Sequence, residues 1–372
     1  MIVRGAVLRE LGRSAPYAES RPLQVEEVEL AAPGPGELLI RIRAAGLCHS
    51  DLSVIDGSRP RVMPMLLGHE ATGEVVASEA PGFAPGDAVV CAFVPACGEC
   101  SECSDGRPAL CGPAAAANTA GTLLAGTRRL TGSDGSLHHH LGVSGFADHA
   151  VISARSAVPI DASIPAEIAA LFGCAVMTGV GAVVNTARVQ AGRSTAVFGL
   201  GGVGLSALLG AVLVGAHPIV AVDVVPSKLV LARELGATAV VDARDADAVE
   251  QVRAATGGGA EYAFETVGSA KVLEQAYAAT RRGGTTVTVG LPHPSQSFSV
   301  PAVSLVAEER TVKGSYLGSS VPSRDIPRYV DLYRAGRLPV DRLLSATVRL
   351  DELNEAFDDL GAGRSTRQVL LF

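Results

Sequence analysis

The 372-residue chain contains no tryptophan, and aromatic residues make up only 4% of it. This scarcity bears on two uncharged apolar segments, 168–187 and 194–222, which a hydropathy window would mark as a membrane-spanning pair. Neither segment is bounded by the Trp and Tyr residues that gather at membrane interfaces. Strands of a parallel sheet are covered on both faces and give the same continuous apolar pattern. We therefore favour buried elements of a parallel sheet, and we expect no membrane partner.

Positive charge is also in short supply, because 31 Lys and Arg against 38 Asp and Glu give a net charge of −7. A nucleic-acid-binding surface needs clustered positive charge, so no nucleic-acid partner is expected. The first ten residues have no apolar core of the kind found in signal peptides, and we expect a cytoplasmic location. In that compartment the seven cysteines favour metal ligation over a disulfide framework. The length predicts two domains.

The segment 195–223 has the order expected of a dinucleotide-binding unit: a strand, G-x-G-x-x-G, a helix, a second strand and an acidic residue. Gly199 permits the tight turn, Gly201 lets the backbone approach a pyrophosphate, and Gly204 lets the helix pack closely on the strand. The helix N-terminus then offers N–H groups to the phosphates. Asp223 is suited to accept bonds from the ribose hydroxyls. Because its carboxylate would repel the extra phosphate of NADP, and no arginine follows it, the sequence favours NAD.

The two halves of the chain differ in texture. The first is rich in glycine and proline and has short β-like segments, which is typical of an irregular, mainly antiparallel region. From residue 193 onward strands and helices alternate, which indicates a doubly wound α/β domain with a parallel sheet. Strands are predicted at 3–7, 24–29, 38–44, 73–76, 88–92, 147–152, 195–199, 218–222, 238–241, 261–265, 285–290 and 368–372. Helices are predicted at 203–215, 227–236, 245–256, 270–281, 322–335 and 351–360.

The most specific metal-binding pattern is formed by Cys97, Cys100, Cys103 and Cys111, which lie in one loop. Four thiolates on one loop suit a closed tetrahedral zinc site, which would also order the loop. Two disulfides or an iron–sulfur cluster are alternatives, but the first conflicts with the expected compartment and the second usually has other spacings. Cys91, just upstream, is interpreted as a small buried hydrophobic residue.

A second candidate metal site is dispersed along the chain. It comprises Cys48 in GLCHSD, His69 and Glu70 in LLGHEATG, and Cys174 in LFGCAVMTG. Two cysteines and one histidine with an open fourth position are a ligand set of catalytic zinc. Sequence distance does not establish that these residues meet. Taken singly, Cys174 also fits a core residue and His69 a structural histidine.

The chain resembles the zinc-dependent alcohol dehydrogenases of the medium-chain dehydrogenase/reductase superfamily. The resemblance rests on five motifs in a fixed order, which are GLCHSD, GHEATG, the four-cysteine loop, FGCAVMTGVGAV and VFGLGGVGLS. The similarity runs to the closing GRSTRQVLLF, and the segment between Cys111 and Gly145 resembles the liver-type branch. The resemblance implies a mainly β, GroES-like catalytic domain over 1–178 and 318–372. It implies a dinucleotide-binding Rossmann domain, with a doubly wound parallel sheet, over 179–317. The implied reaction is reversible hydride transfer between an alcohol, preferentially primary and medium-chain or aromatic, and NAD, giving an aldehyde or ketone and NADH.

The resemblance also implies two zinc ions per chain. The catalytic ion would be bound by Cys48, His69 and Cys174, with Glu70 behind it as an alternate ligand. Asp51 would orient His69, in the way that carboxylates behind a metal site fix an imidazole. The structural ion would be bound by the four cysteines of the loop.

Further roles follow from the same resemblance. Ser50 would bond the alcohol oxygen and pass on its proton, and Phe93 would line the substrate channel. At Ser53 the liver-type pattern has a histidine that carries this proton to solvent. Serine does not hold a proton near neutral pH, so water or another group must complete the relay. The residues implied to contact the cofactor are His49, Thr178, Gly199, Gly201, Gly202, Val203, Gly204, Asp223, Lys228 and Arg367.

Several alternatives remain open. The enzyme could oxidise the S-hydroxymethyl adduct of a small thiol with formaldehyde, for which Arg59 and Arg61 would supply positive charge. A non-enzymatic zinc- and nucleotide-binding structural or redox-sensing protein is a more distant alternative, because it would be expected to have lost ligands. The alanines at 114–117 indicate either a roomy substrate channel or a plain loop, and 138–140 (three histidines) either a pocket neighbour or a solvated turn. Pairing near 301–317, as in the family, implies a homodimer or a homotetramer.

Overall fold

The structure is a computed structural model that describes all 372 residues. Its strands are β1 (Ile2–Leu8), β2 (Leu23–Leu30), β3 (Glu37–Gly46), β4 (Met65–Leu66), β5 (Glu70–Ser78), β6 (Ala88–Cys91), β7 (Leu130–Gly132), β8 (Gly135–His139), β9 (His149–Ser153), β10 (Ala157–Pro159), β11 (Thr195–Phe198), β12 (Ile219–Asp223), β13 (Ala239–Asp242), β14 (Ala260–Glu265), β15 (Thr280–Thr288), β16 (Thr311–Gly314), β17 (Ala346–Val348) and β18 (Gln368–Leu371).

The helices are mostly short. They are α1 (Tyr17–Ser20), α2 (His49–Ile55), α3 (Ser101–Ser104), α4 (Gly112–Ala120), α5 (Ala166–Ala169), α6 (Ala175–Gly181), α7 (Gly202–Leu213), α8 (Pro226–Glu234), α9 (Ala248–Ala255), α10 (Ala270–Ala279), α11 (Ala302–Ala307), α12 (Pro322–Arg334) and α13 (Leu353–Gly361). No single helix has both the length and the apolar composition to cross a membrane. One bent pair, Ala166–Gly173 with Ala175–Ala187, meets that test by length and composition alone.

Contacts divide the chain into two compact units. The first contains Met1–Cys174, Val321–Asp331 and Val340–Phe372, and the second contains Ala175–Ser320 and Leu332–Pro339.

The first unit is built from two β systems. Strands β1, β2, β7, β8 and β4 close into a small barrel. Val3, Val28, Leu66 and Leu130 from these strands share one buried apolar cluster with Val151 of β9. The other system is a seven-stranded sheet in the order β10-β6-β5-β3-β18-β17, with β9 also paired to β3. Both systems are mainly antiparallel, so one face of each strand can face the core while the other meets solvent or another element. This is the mainly β region that the glycine- and proline-rich half of the sequence predicts.

The second unit contains a six-stranded parallel sheet in the order β13-β12-β11-β14-β15-β16. Helices α7 to α10 follow the strands in sequence and alternate with them. All four residues of β11 are buried, and so are all five of β12, because neighbouring elements cover both faces. From β11 the chain adds β12 and β13 on one side of the sheet and then β14, β15 and β16 on the other side. Sheets of this kind bind ligands at the point where the strand order changes side in this way. The predicted doubly wound α/β fold is confirmed.

Some local predictions are wrong. The alanine-rich segment 114–117 is not a plain loop but part of α4, with Ala114 and Ala117 buried. The histidines at 138–140 do not form a solvated turn, because 138 and 139 belong to β8, and His139 and His140 are each 1% exposed. Helix α2 was not anticipated, since its seven residues are too few to display a helical apolar period.

Candidate active site

Strand pairing in the first unit brings Cys48 and His69 to one edge of the large sheet. Strands β3 and β5 are antiparallel, and Gly46 at the end of β3 pairs with Glu70 at the start of β5. Cys48 follows β3 and caps the N-terminus of α2, whereas His69 directly precedes β5. Cys174 reaches this edge from the end of a 3-10 helix, Ala170–Gly173, that contacts β5.

The ligand atoms of Cys48, His69, Glu70 and Cys174 all lie within 4.8 Å of one another, and all four residues are buried. A hydrogen bond with Cys174, together with the interaction with His69, lowers the pKa of the Cys48 thiol well below its usual range despite burial. Burial lowers the pKa of His69, but the charge and hydrogen bond of Asp51 raise it more, to about 10. Two cysteine sulfurs beside an imidazole form a donor set that suits zinc, so the residues present fit this ion.

Asp51 lies behind His69 and contacts two imidazole rings. Its Oδ1 atom is 3.1 Å from Nδ1 of His69, and it is also 3.1 Å from Nδ1 of His140. Burial alone would raise the pKa of the fully buried Asp51, but the charge on His69 and the close approach of both imidazoles outweigh it and lower that pKa. His140 was not among the predicted site residues. The run of three histidines was a signal for it, but only the fold reveals which of the three faces the carboxylate.

Glu70 forms an ion pair with Arg367, and both side chains are almost fully buried. Nη1 of Arg367 also donates a hydrogen bond to the carbonyl oxygen of Leu47, at 2.8 Å. A Cβ added at Gly46 would lie within 2.8 to 3.1 Å of both side chains, so a larger residue there would disturb the pair. The sequence singled out Glu70 and Arg367 for separate roles and did not predict their pairing.

The four loop cysteines form a second cluster. The sulfur atoms of Cys97, Cys100, Cys103 and Cys111 lie within 4.8 Å of one another. Backbone N–H groups donate to two of these sulfurs, from Cys97 to Cys111 at 3.3 Å and from Cys100 to Cys97 at 3.4 Å. Backbone hydrogen bonds from Glu99 and Cys100 lower the pKa of Cys97 to about 6. None of the seven cysteines in the chain is in a disulfide, and this four-sulfur set fits a structural zinc ion.

The glycine-rich loop lies between β11 and α7. Gly199 has a φ of +91°, and a Cβ at Gly204 would overlap the carbonyl oxygen of Gly199, so both positions require glycine. Gly201 is the N-cap of α7, which has no side-chain cap, and no heavy atom lies within 4 Å of the place a Cβ would take there. The uncapped N–H groups and the open approach at Gly201 fit a phosphate group of a dinucleotide.

The remaining predicted residues lie on identifiable elements. Ser50 is half-buried at the second position of α2, and Ser53 donates its hydroxyl to the carbonyl oxygen of His49 at 2.7 Å. The Phe93 ring meets the His69 ring edge-on, with 5.4 Å between centroids. The other predicted cofactor residues are His49, exposed at the first position of α2; Thr178, buried on α6; Gly202 and Val203, buried and half-buried on α7; Asp223, buried at the end of β12; and Lys228, half-buried on α8.

Comparison with known proteins gives a consistent result. A model of the alcohol dehydrogenase GroES-like domain matches residues 34–162, and a model of the zinc-binding dehydrogenase family matches residues 202–335. A geraniol dehydrogenase from Castellaniella defragrans is 38% identical, and the alignment covers 99% of this chain and 97% of that protein. An alcohol dehydrogenase class-3 from Myxine glutinosa is 37% identical, with 95% and 96% covered. The crystal structure of benzyl alcohol dehydrogenase from Acinetobacter calcoaceticus matches with a TM-score of 0.93 at 31% identity, over 100% of this chain and 99% of that chain.

The fold and the two cysteine-containing clusters are those of a zinc-binding dehydrogenase. The chain belongs to the zinc-dependent alcohol dehydrogenase family of the medium-chain dehydrogenase/reductase superfamily. The predictions of family, fold class and dehydrogenase activity are thereby confirmed.

Proposed function

We propose that this member of the family oxidises primary alcohols with an allylic, aromatic or medium-length apolar chain, using NAD, and reduces the corresponding aldehydes. The catalytic zinc would be held by Cys48, His69 and Cys174, with Glu70 as an alternate ligand. The structural zinc would be held by Cys97, Cys100, Cys103 and Cys111.

One observation carries the proposal: residues far apart in the sequence bring two sulfurs, an imidazole nitrogen and a carboxylate oxygen within 4.8 Å of one another in a buried site. A core that needed only apolar packing would not gather these groups, because burying ionisable groups without a compensating partner is costly. A metal ion supplies that compensation.

The residues around this cluster have distinct tasks in the proposed reaction. When bound, zinc acts as a Lewis acid that makes the alcohol oxygen more acidic. Asp51 holds Nδ1 of His69 and so leaves Nε2 for the metal. The hydroxyl of Ser50 would accept the alcohol proton while donating its own towards a hydroxyl of the nicotinamide ribose. Phe93 packs its ring edge-on against His69 and helps to keep water from the reacting groups.

Cofactor selection is assigned to the second unit. The carboxylate of Asp223 would bond the adenosine ribose hydroxyls and repel the 2′-phosphate of NADP. Lys228, on the helix that follows, would contact the same ribose. Gly199, Gly201, Gly202, Val203 and Gly204 would surround the pyrophosphate, His49 and Arg367 would contact it, and Thr178 would pack on the nicotinamide together with Val203.

The substrate range rests on the named relatives. They include a geraniol dehydrogenase and a benzyl alcohol dehydrogenase, and both names denote primary alcohols in which the hydroxyl-bearing carbon is next to an unsaturated group. The test is metal analysis together with NADH formation on a panel of alcohols. We expect two zinc ions per chain. We also expect kcat/KM values for benzyl alcohol and geraniol to be at least about tenfold above the value for ethanol, because one added apolar contact in a pocket gives discrimination of about this size. Protein with two zinc ions that reduces no NAD with any primary alcohol would contradict the proposal.

A second candidate is oxidation of the formaldehyde adduct of a carboxylate-bearing thiol. It is kept because the class-3 alcohol dehydrogenase is 37% identical to this chain, close to the 38% of the geraniol dehydrogenase. Arg59 and Arg61 are the cationic residues that would meet the thiol's carboxylates, and Nη1 of Arg61 is 3.4 Å from the carbonyl oxygen of Asn118. Formaldehyde added with glutathione, compared with benzyl alcohol, separates the two. A higher kcat/KM for the adduct that falls in an Arg61→Met variant would favour this candidate.

The assembly and the location are also part of the proposal. We assign 1–178 and 318–372 to the catalytic domain, and 179–317 to the cofactor domain.

A homodimer, or a homotetramer built from it, would form along the edge strand β16 and the preceding helix α11. On α11 the side chains of Val303 and Val306 are 70% and 82% exposed. Exposed apolar side chains beside an unpaired edge are typical of an interface. A Val306→Lys variant that is monomeric by light scattering would support this interface.

A cytoplasmic location is also part of the proposal. Seven cysteines without a disulfide are consistent with it.

A further inference from the structure

One carboxylate in the first unit faces two buried imidazoles. Oδ1 of Asp51 lies 3.1 Å from Nδ1 of His69 and 3.1 Å from Nδ1 of His140. The exposed fractions of the three side chains are 0%, 1% and 1%. The two rings stand nearly perpendicular, at 85°, with their centroids 5.5 Å apart. These contacts form a compact cluster of three polar residues from which water is excluded.

His140 has no other polar partner for its Nδ1 atom. This ring nitrogen is 3.1 Å from Oδ1 of Asp51 without making a hydrogen bond to it, and Oδ2 of Asp51 also has no hydrogen-bond partner. A buried donor and a buried acceptor left side by side both gain from a small rotation that joins them, because each otherwise bears the cost of desolvation. The nearest partner available to His140 is therefore the carboxylate that also holds His69.

The backbone fixes where the His140 ring can lie. His140 directly follows β8, whose residues 138 and 139 pair with Met65 and Leu66 of β4. The N–H of His140 donates to Oγ of Ser144 at 3.0 Å, and its carbonyl oxygen accepts bonds from the N–H groups of Val143 and Ser144 at 3.0 and 3.2 Å. Bonds on both sides of the residue close a tight turn. The approach of the ring to Asp51 is therefore set by the strand and the turn rather than by a free loop.

We infer that His140 is a positioning residue for the metal centre, which acts by holding the Asp51 carboxylate against His69. This inference rests on the proposed role of His69 as a zinc ligand. A carboxylate with one partner can rotate about its bond to Cβ, whereas a carboxylate held by two imidazoles from different elements has one orientation. Residues that hold a metal-ligating imidazole in place typically change metal affinity about 10- to 100-fold when they are removed.

The test is the rate at which the protein loses zinc to a colorimetric chelator. The kinetic phase of zinc release that is missing in a Cys174→Ser variant is assigned to the catalytic site. The phase that remains is assigned to the four-cysteine site. In His140→Phe we expect the catalytic-site phase to be about tenfold faster than in the wild type, with the other phase unchanged. His140→Asn keeps an N–H donor close to the position of Nδ1, and we expect it to restore the rate to within about threefold of the wild type.

A double-variant comparison separates action through Asp51 from a packing effect. If His140 acts through the carboxylate, His140→Phe accelerates zinc loss in the wild type but adds little in an Asp51→Asn background. His138→Phe is the matched control, because the ring of His138 faces the carbonyl oxygen of Ala120 and not Asp51. If His140→Phe does not fold, His140→Leu, which has the same loss of the donor, takes its place. The visible absorption of the cobalt-substituted protein gives a second readout, since its bands report ligand geometry.

Four results would overturn the inference. The first is equal zinc-loss rates and cobalt spectra in His140→Phe and the wild type, and the second is equal acceleration of zinc loss in His140→Phe and His140→Asn. The third is full additivity of the effects of His140→Phe and Asp51→Asn on the zinc-loss rate. The fourth is a third bound zinc ion that requires His140, which would make His140 a ligand. The proposed function fails in a different way. In that case the wild type itself has no chelator-sensitive phase that depends on Cys174, or forms no NADH from alcohols.

Discussion

Asp223 accepts a hydrogen bond from the backbone N–H of Leu200, with 2.6 Å between Oδ2 and the nitrogen. Its other oxygen, Oδ1, accepts from the N–H of Val225 at 2.9 Å. The carboxylate that ends β12 is therefore bonded to the glycine-rich loop after β11, and the loop's conformation and the position of the negative charge depend on each other.

An Asp223→Ser variant is expected to lose preference for NAD. The loss of the charge removes both the bonds to the ribose and the repulsion of a 2′-phosphate. Hydrogen bonds to charged groups contribute about 1.5 to 3 kcal/mol, so kcat/KM for NAD should fall by roughly 10- to 100-fold while that for NADP rises. Steady-state kinetics with both cofactors and one alcohol measure the ratio.

Asp242 provides the control for this variant. It ends β13 in register with Asp223, but its carboxylate bonds to Arg244. Asp242→Asn should keep the wild-type ratio of NAD to NADP activity. An unchanged ratio in Asp223→Ser would mean that this carboxylate does not select the cofactor.

Cys174→Ser is expected to bind one zinc ion per chain instead of two. A serine hydroxyl is a poor substitute for a thiolate, and loss of the Lewis acid removes several kcal/mol of stabilisation, so activity should fall by more than about 100-fold. Elemental analysis and alcohol oxidation rates measure the two effects.

Cys91→Ala is the matched comparison, because Cys91 is as buried as the ligands but lies outside both clusters. Burial raises the pKa of its thiol to about 12, so it stays protonated. The variant should retain two zinc ions and most activity. Two zinc ions in Cys174→Ser would show that this residue is not a ligand.

How far the site can be predicted from the sequence depends on how local its parts are. The loop from Gly199 to Gly204 and the four cysteines from Cys97 to Cys111 are contained in short segments, and their order alone indicates their chemistry. The approach of Cys48 to His69 depends on the pairing of Gly46 with Glu70, across more than twenty residues, and only the resemblance to a family suggested it.

Other features were missed for different reasons. Helix α4 had its signals in the sequence, with Pro113 in the first turn and Gly121 in the left-handed conformation after the end, but its alanines were interpreted as a channel lining or a plain loop. The run of three histidines drew attention to His140, but its contact with Asp51 could not be predicted locally, since it requires β8 to pair with β4.

Ser53→His is expected to extend alcohol oxidation to lower pH. The Ser53 hydroxyl donates to the carbonyl oxygen of His49 at 2.7 Å and has no group that titrates near neutrality, so the wild type should lose activity steeply as the pH falls. A histidine there can accept the proton, and we expect about a tenfold gain in kcat/KM at pH 6 relative to the wild type. The profile from pH 5.5 to 9 measures this.

Ser53→Ala serves as its control and should leave the profile unchanged, because the hydroxyl bonds only the helix backbone. Identical profiles for the wild type and Ser53→His would mean that proton release does not limit the rate.

His139 should make the fold less stable in mild acid. It is 1% exposed, and its Nε2 accepts a hydrogen bond from the N–H of Arg129 at 3.1 Å, which requires an unprotonated nitrogen. Burial and nearby arginines lower its pKa from 6.5 to about 3. Below pH 6.5 the unfolded chain therefore takes up a proton that the folded chain does not. The stability contribution is complete above pH 6.5 and is lost as the pH falls towards 3.

A His139→Gln variant tests this directly, because its amide oxygen can accept the same bond without titrating. Between pH 6 and pH 5 the wild type should lose about 1 kcal/mol more unfolding free energy than the variant, as measured by urea denaturation. Other acid-sensitive groups, including the metal ligands, are common to both proteins and cancel in the difference. Above pH 7.5 the difference should be independent of pH, which is the internal control. Parallel stability curves from pH 5 to pH 8 would mean that His139 ionises equally in the folded and unfolded states.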